Sequence, residues 1–226
     1  MRFIVAVLLL SMAIVFPIAS VRASTTYLQV VNPSPVDGPY DFILPPDTPV
    51  GTTFLANITI TDVVNLAGWQ VNLTYDPRLL KVSALADIKY PADHVFAGLD
   101  PYFAGKGFDN TIGYLTYACA IGPESPADHF DGSGTLCQIR FTTVKNGTGD
   151  PVFCELVFDV NPEHIITTSI RDADIEPIPF EVQEGSYFIP EFPTVIFPAL
   201  FLIVTLLALA LGKRIGQKNG GRPIAK

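Results

Sequence analysis

The chain is poor in the residues on which catalytic and metal sites depend. Its 226 residues include only three cysteines, three histidines and one tryptophan. No two cysteines have the Cys-x-x-Cys spacing of a zinc site, and neither a His-Glu-x-x-His helix nor a Gly-x-Ser-x-Gly nucleophile turn occurs. Carboxylates are abundant, but they form no recognisable glycosidase pattern. The sequence therefore predicts a protein that is not an enzyme and has no cofactor.

Basic residues are scarce in the middle of the chain. Residues 24–212 hold seven Lys and Arg against 22 Asp and Glu, a net charge of −15. A field of that sign repels phosphate, which argues against nucleic acid as a partner, and it keeps a surface domain soluble. It also favours weak Ca²⁺ binding. The alternating carboxylates of Asp172, Asp174 and Glu176 either ligate Ca²⁺ or line the solvent face of a strand, and the missing central glycine of an EF-hand favours the strand.

Charge is absent altogether from residues 194–212. A helix of that length spans roughly 28 Å, close to the thickness of the bilayer hydrocarbon. Five basic residues and no acidic residue follow in 213–226, and such an excess marks the cytoplasmic side. We therefore expect a single transmembrane helix over 194–212, a cytoplasmic tail over 213–226 and an extracellular domain before them.

The N-terminus has the pattern of a secretory signal. Arg2 precedes an apolar stretch over 3–15, and Val21-Arg22-Ala23 places small residues where a signal peptidase cuts. Residues 1–23 are predicted to be a removed signal peptide. The alternative is an uncleaved anchor, against which Pro17 and Ser20 argue because they interrupt the apolar stretch.

Three Asn-x-Ser/Thr triplets lie in the predicted extracellular part. They begin at Asn57, Asn72 and Asn146 and are candidate N-glycosylation sites.

The hydrophobic period of the domain is two, which predicts strands. Phe54, Ala56, Ile58 and Ile60 share one face, and later stretches repeat this alternation. Nine short strands without a convincing helix indicate an all-β sandwich. The predicted strands are 26–31, 53–62, 69–75, 79–85, 112–121, 136–144, 152–158, 164–169 and 180–189.

Two stretches interrupt the alternation. Residues 32–51 hold six prolines and predict an extended surface excursion. Residues 89–110 mix Pro, Gly, Asp and aromatic residues and predict a long structured loop. Its aromatic residues, Tyr102 and Phe103 among them, either stack on carbohydrate or anchor the loop onto the sandwich.

The segment 65–82 carries a resemblance. Its alternation from Trp69 into Tyr75-Asp76-Pro77, followed by Leu79-Leu80, resembles the third-strand segment of cohesin domains. Stretches 51–63, 132–142 and 184–189 are similar to the second, sixth and last strands of that family. The resemblance covers roughly residues 26–189 and implies a jelly-roll sandwich of about nine strands over 24–189.

The resemblance also implies a binding module. Cohesins capture dockerin domains through outward positions of the third strand, and related sandwiches bind polysaccharide. The outward positions here are Gly68, Gln70, Asn72 and Thr74; Gly68 and Gln70 depart from the Asn and Asp that the best-known members carry. We expect non-catalytic binding of a polysaccharide or a dockerin-like surface protein; the alternative is a glycosylated structural component of the cell envelope.

The junction 190–193, Pro190-Glu191-Phe192-Pro193, is similar to the C-terminal sorting signals of archaeal surface proteins. That similarity implies an archaeal envelope, and an archaeosortase-like enzyme that cuts near the motif and exchanges the helix for a lipid.

The three cysteines leave at least one thiol unpaired within the chain. Cys119, Cys137 and Cys154 all fall on apolar-face positions, which favours small buried side chains. In a cohesin-like topology Cys119 and Cys137 lie on adjacent strands, so the resemblance leaves a disulfide between them as the alternative.

Overall fold

The computed structural model describes residues 25–35, 38–122, 129–146, 151–164 and 166–190, together with Leu202 and Thr205. The predicted signal peptide lies outside this part of the chain. So does the predicted span 194–212, apart from Leu202 and Thr205. Among the described residues no helix has the length and apolar character needed to cross a bilayer.

The described residues form twelve strands and one 3-10 turn at Leu85–Asp87, which confirms the all-β prediction. The strands are β1 (Tyr27–Val31), β2 (Asp41–Ile43), β3 (Thr53–Thr74), β4 (Leu80–Lys81), β5 (Ile88–Lys89), β6 (Pro101–Asp109), β7 (Tyr114–Ile121), β8 (Phe130–Thr143), β9 (Val152–Phe158), β10 (Ser169–Asp172), β11 (Glu181–Gln183) and β12 (Gly185–Ile189).

The long strand β3 belongs to both layers of a sandwich. Its first half lies between β1 and β8, with β11 beyond β1 and the short β4 and β5 beyond β8. Its second half pairs with β7 on one side and with β10 and β9 on the other. From there the second layer extends to β6 in one direction and through β12 to β2 in the other.

A bend in the middle of β3 lets one strand serve two layers. Asp62 and Asn65 have φ angles of 55° and 63°, and the register with β8 shifts around them. After the bend, β3 runs back toward the end of the sandwich where it began. The ring of Tyr75, just after β3, lies 5.3 Å from that of Phe141, which pairs with Phe54 near the start of β3. We call the Asp62–Asn65 end of the sandwich the bend end.

The opposite end is where the last strand finishes. The rings of Phe54 and Tyr187 are stacked at 5.2 Å, so the end of β12 lies beside the start of β3. The amide of Leu44, which follows β2, donates to the carbonyl of Phe188 at 3.0 Å. We call this the exit end, because β12 ends there at Ile189.

The predicted alternation forms the core. Trp69, Val71, Leu73 and Tyr75 are all buried, as the period of two requires. Gly185 of β12 lies so close to β1 that a Cβ there would meet Val30 Cγ1 at 2.8 Å, so a larger residue would push the layers apart.

All three cysteines are buried and unpaired. The simpler prediction is confirmed, and the alternative disulfide between Cys119 and Cys137 is wrong. Burial raises the pKa of the Cys119 thiol to about 11, so it stays protonated and unreactive at neutral pH.

The described strands number twelve where the sequence predicts about nine, and several segments differ. The predicted strands 53–62 and 69–75 form the single strand β3, and 180–189 divides into β11 and β12. The predicted loop 89–110 contains β6, and the predicted excursion 32–51 contains β2, whose Phe42 is buried. The predicted strand 79–85 shrinks to Leu80–Lys81, and its last residue, Leu85, begins the 3-10 turn. In place of 164–169, the strand begins at Ser169, since the preceding residues form a turn that covers β3.

Candidate functional site

Registers of neighbouring strands line up the outward side chains of the second layer in rows. Residues that pair across strands share a face of the sheet. The row nearest the bend end crosses β6, β7, β3 and β10 through Tyr102, Ala120, Gly68 and Arg171. The following rows are Gly105, Ala118, Gln70 and Ser169, then Gly107, Thr116 and Asn72, then Asp109, Tyr114 and Thr74.

The middle of this surface consists of small side chains, and we call it the small-residue face. Its floor is formed by Gly68, Ala118, Ala120, Gly105 and Gly107. A Cβ added at Gly68 would lie 3.4 Å from that of Ala120, so the strands pack closely there without a clash. Because no long side chain rises from the floor, another backbone can approach the sheet closely.

Two exposed apolar side chains border the small-residue face near the bend end. Tyr102 on β6 is 67% exposed, and Ile175 in the turn after β10 is 73% exposed. Arg171 links this turn to the face, because its Nη1 donates to the carbonyl of Ile175 at 2.8 Å. Large apolar and Arg side chains of this kind are typical anchors of protein interfaces.

The turn that carries Ile175 is strained. Its φ of 68° is uncommon for a β-branched residue. The Oδ1 of Asp172 accepts the backbone amides of Asp174 at 3.0 Å and Glu176 at 2.8 Å, which holds the turn in place. The structure therefore agrees neither with the predicted Ca²⁺ ligands nor with the predicted solvent face of a strand. Asp172 caps a turn, and Asp174 and Glu176 lie in that turn, beyond the end of the strand. Within the described ranges no group of three His, Cys, Asp or Glu residues is placed to hold a metal ion.

Asn72 lies on the outward side of β3, as predicted, but it is not exposed. Its side chain is fully buried. The hydroxyl of Tyr114 donates to its Oδ1 at 2.8 Å, and Thr168 brackets its backbone with hydrogen bonds of 3.0 Å to both N and O. The segment before β10 folds over this position, so a glycan on Asn72 would have to displace it.

The neighbouring predicted positions are also half-buried, Gln70 beside the segment before β10 and Thr74 beside β9. Gln70 donates from Nε2 to the carbonyl of Thr167 at 3.0 Å, and Thr74 donates from its hydroxyl to the carbonyl of Val157 at 3.3 Å. Of the four predicted third-strand positions, Gly68 thus lies in the floor of the small-residue face and Gln70 borders it. Asn72 is buried beneath the segment before β10, and Thr74 is half-buried beside β9.

The two predicted loop aromatics point in different directions. Tyr102 pairs with Ala120 and stands on the small-residue face, whereas Phe103 pairs with Cys119 on the opposite side of β6. There its ring lies 4.1 Å from that of Tyr90, which stacks on Tyr117 at 4.8 Å. Phe96 is also buried, so most of these aromatics anchor the segment onto the sandwich.

A small cleft remains beside Phe103. It measures about 370 Å³ and is lined by Lys89, Tyr90, Phe103, Gly105, Lys106 and Tyr117. The Nζ of Lys106 donates to the carbonyl of Ile88 at 3.0 Å and lies 5.7 Å from the ring centre of Tyr117. Burial raises the pKa of Tyr117 to about 12, so its hydroxyl is neutral. The cleft combines aromatic walls with positive charge.

No protein-family model and no curated protein matches the chain. Several solved structures do. The cohesin of a type II cohesin–X–dockerin complex from Acetivibrio cellulolyticus has a TM-score of 0.54 at 17% identity, over 73% of this chain and 99% of that chain. The second type II cohesin module of the ScaA scaffoldin of the same organism has a TM-score of 0.52 at 17% identity, over 71% and 88%. The domain has the fold of a cohesin module. The cohesin of a type I cohesin–dockerin complex from Clostridium thermocellum agrees, with a TM-score of 0.52 at 10% identity over 74% and 95%.

Within the cohesin-like domain the two other sequons differ in accessibility. Asn57 is half-buried, and its Oδ1 accepts a hydrogen bond from Gln138 Nε2 at 2.9 Å. Asn146 is exposed, just beyond the end of β8. Pro190 of the sorting motif directly follows β12, and Glu191, Phe192 and Pro193 lie outside the described residues.

Sequence reasoning missed several residues of the cohesin-like domain's small-residue face. The sequence predicts a strand for Ala118 and Ala120 but no surface role, and it marks neither Arg171 nor Ile175 as a site residue. A signal for the alanines exists, since Tyr114, Thr116, Ala118 and Ala120 alternate with the buried Leu115, Tyr117 and Cys119. No local pattern could have placed Arg171 beside Gly68.

Proposed function

We propose that this chain is a non-catalytic cell-surface module whose cohesin-like domain binds a dockerin-like partner protein through the small-residue face. The observation that carries the proposal is the Tyr102, Ala120, Gly68 and Arg171 row, a flat floor of Gly and Ala between exposed anchoring side chains. Two of the similar structures are cohesin–dockerin complexes, which supports a protein as the partner.

The dimensions of the face suit a protein partner. The floor runs for about 13 Å along β7, from Thr116 to Ala120, and three strand spacings from β6 to β10 give about 14 Å across. A standard protein interface buries about 800 Å² on each partner. The small-residue face would therefore form the centre of such an interface, and Tyr102 and the Ile175 turn would extend it.

The proposal that the domain lies outside the cell is supported by the sequences at the two ends of the chain. The signal-like residues 1–23, the uncharged stretch 194–212 and the basic residues 213–226 support export of the domain and a C-terminal membrane anchor. The motif 190–193 supports processing by an archaeosortase-like enzyme that leaves the domain on a lipid.

Polysaccharide binding is a second candidate, and the cleft beside Phe103 favours it. An aromatic wall next to Lys106 suits the apolar face and polar edge of a sugar ring. The purely structural role loses one of its supports, because a glycan on Asn72 would have favoured it and Asn72 is buried.

The test is binding of the full chain, solubilised in detergent, to type I and type II dockerins and to a panel of polysaccharides. Saturable dockerin binding supports the proposal. Saturable binding to a polysaccharide alone, lost in Phe103→Ala and kept in Tyr102→Ala, would replace it with the second candidate. Absence of both would leave the structural role.

A further inference from the structure

A second surface stands out on the same layer, at the exit end. Phe188 of β12 pairs with Phe153 of β9 on one side and with Ile43 of β2 on the other. Phe153 is 56% exposed and Ile43 40% exposed, with the half-buried Phe188 between them. Three neighbouring strands thus present a continuous apolar row to the outside, which we call the exit row.

Polar side chains border the exit row on the inner side. The next row toward the bend end consists of Glu155, Ser186 and Asp41, and the hydroxyl of Ser186 donates to Asp41 Oδ1 at 2.6 Å. The apolar character is therefore concentrated at the rim of the domain. Val50, three residues before β3 begins at Thr53, adds a further apolar side chain at the same end and is 59% exposed.

Basic side chains lie at the same end of an otherwise acidic domain. Lys145 is exposed two residues beyond the end of β8, and Arg78 is exposed next to the Leu79 carbonyl that accepts the amide of Val144. Arg78 is paired with Asp76 at 2.6 Å, so Lys145 contributes the clearer positive charge.

The chain leaves the domain beside the exit row. Phe188 is two residues from Pro190, and only residues 190–193 separate β12 from the uncharged stretch that begins at Thr194. Four residues reach about 14 Å when fully extended. The headgroup region of one leaflet takes up roughly 6 Å of that distance, so an anchor that begins at Thr194 would keep the exit end close to the bilayer surface.

We propose that the exit row is a lipid-contact surface, with Phe153, Phe188 and Ile43 resting in the headgroup region of the membrane that holds the C-terminal stretch. The inference rests on the proposed membrane anchor. Aromatic and aliphatic side chains, with a basic residue at the same end of the domain, are a composition that favours the membrane interface. The Tyr102 row lies at the bend end, so this orientation points the partner-binding anchors away from the bilayer.

The test uses the full chain reconstituted in vesicles of equal parts phosphatidylcholine and phosphatidylglycerol. Phe153→Trp places a fluorophore in the exit row, and Val64→Trp places one at the bend end, where Val64 is 69% exposed. The native Trp69 is buried and contributes the same background to both variants. Far-ultraviolet circular dichroism checks that each variant is folded.

Lipid carrying a nitroxide near its headgroup is expected to quench Phe153→Trp at least about threefold more strongly than Val64→Trp, whereas aqueous iodide shows the reverse order. Equal lipid quenching of the two variants would overturn the inference. Shielding of Phe153→Trp from iodide without lipid quenching would also overturn it, because a protein contact would then cover the row. If the unmodified chain does not float with the vesicles, the proposed membrane anchor is refuted. This outcome is distinct from the quenching results, which test the exit row alone.

Discussion

The hydroxyl of Tyr114 on β7 donates a hydrogen bond to the buried Oδ1 of Asn72 on β3 at 2.8 Å. This contact lies under the segment that precedes β10, so the amide of Asn72 is out of reach of a bulky modification. The three sequons therefore differ in accessibility: Asn72 is buried, Asn57 is half-buried and Asn146 is exposed. The sequence alone does not show this difference.

We therefore predict that Asn72 carries no glycan in the native protein, whereas exposed Asn146 is the preferred site. Attaching a glycan to Asn72 would break its bond to Tyr114 and lift off the cover. Mass spectrometry of glycopeptides from the native membrane preparation measures each site. A substantial glycosylated fraction at Asn72 would show that the cover is not closed in the mature protein.

Gly113 is predicted to be indispensable for folding. It has a φ of 69°, and a Cβ there would collide with the carbonyl oxygen of Tyr75 and the ring of Pro77. Gly113→Ala is expected to lower the free energy of unfolding by about 3 kcal/mol or more, since strain and overlap add. Gly132→Ala is the matched control, because Gly132 also has a positive φ but open space around it. Equal losses in denaturant titrations would refute the role of the overlap.

Acid is predicted to weaken the packing around Tyr90. Burial holds the pKa of His94 below its ordinary value of 6.5, and its Nδ1 accepts the amide of Phe96 at 3.2 Å. The unfolded state binds the proton first, so this contribution to stability is complete above about pH 6.5 and declines as the pH falls toward the folded-state pKa. His94→Gln should flatten the curve of unfolding free energy between about pH 7 and 5. An unchanged slope in that variant would assign the pH dependence to other groups.

Relief of the strained turn is predicted to trade binding for stability. Ile175→Asn suits a φ of 68° better, because Asn tolerates the left-handed region. The variant should be more stable by about 1 kcal/mol, and it should bind the partner less tightly because an exposed anchor beside Arg171 is gone. Thermal unfolding and a binding titration on the same preparation measure both effects. Tighter binding by Ile175→Asn would show that Ile175 is not an anchor.

Local periodicity accounts for the parts of the fold that the sequence predicted. The alternation of Trp69, Val71, Leu73 and Tyr75 with polar residues reflects one buried face, and such a signal is visible in any short window. The sequence does not predict β6, because this edge strand, with Gly105 and Gly107, has no buried face that would impose the alternation. Its exposed residues therefore looked like a loop.

The candidate site was only half predictable. The alternation of a single strand predicts the outward direction of Gly68 and Gln70, and the registers of β3 with β7 and β10 agree with it. Asn72 shares that direction but is covered by residues about 96 positions later, and Arg171 joins the face through a pairing of β10 with β3. Such long-range pairings depend on the whole topology, and no local pattern carries them.

The most direct test of the central claim is a pair of matched charge substitutions. Ala118→Arg places a long cation in the floor of the small-residue face, and Gln183→Arg makes the same charge change at an exposed position on β11 in the other layer. Titration against a dockerin that binds the unmodified chain should show a loss of at least about 100-fold for Ala118→Arg, since the bulk prevents close approach. Gln183→Arg should bind as the unmodified chain does. Equal affinity of the two variants would contradict the account, because the partner would then bind elsewhere.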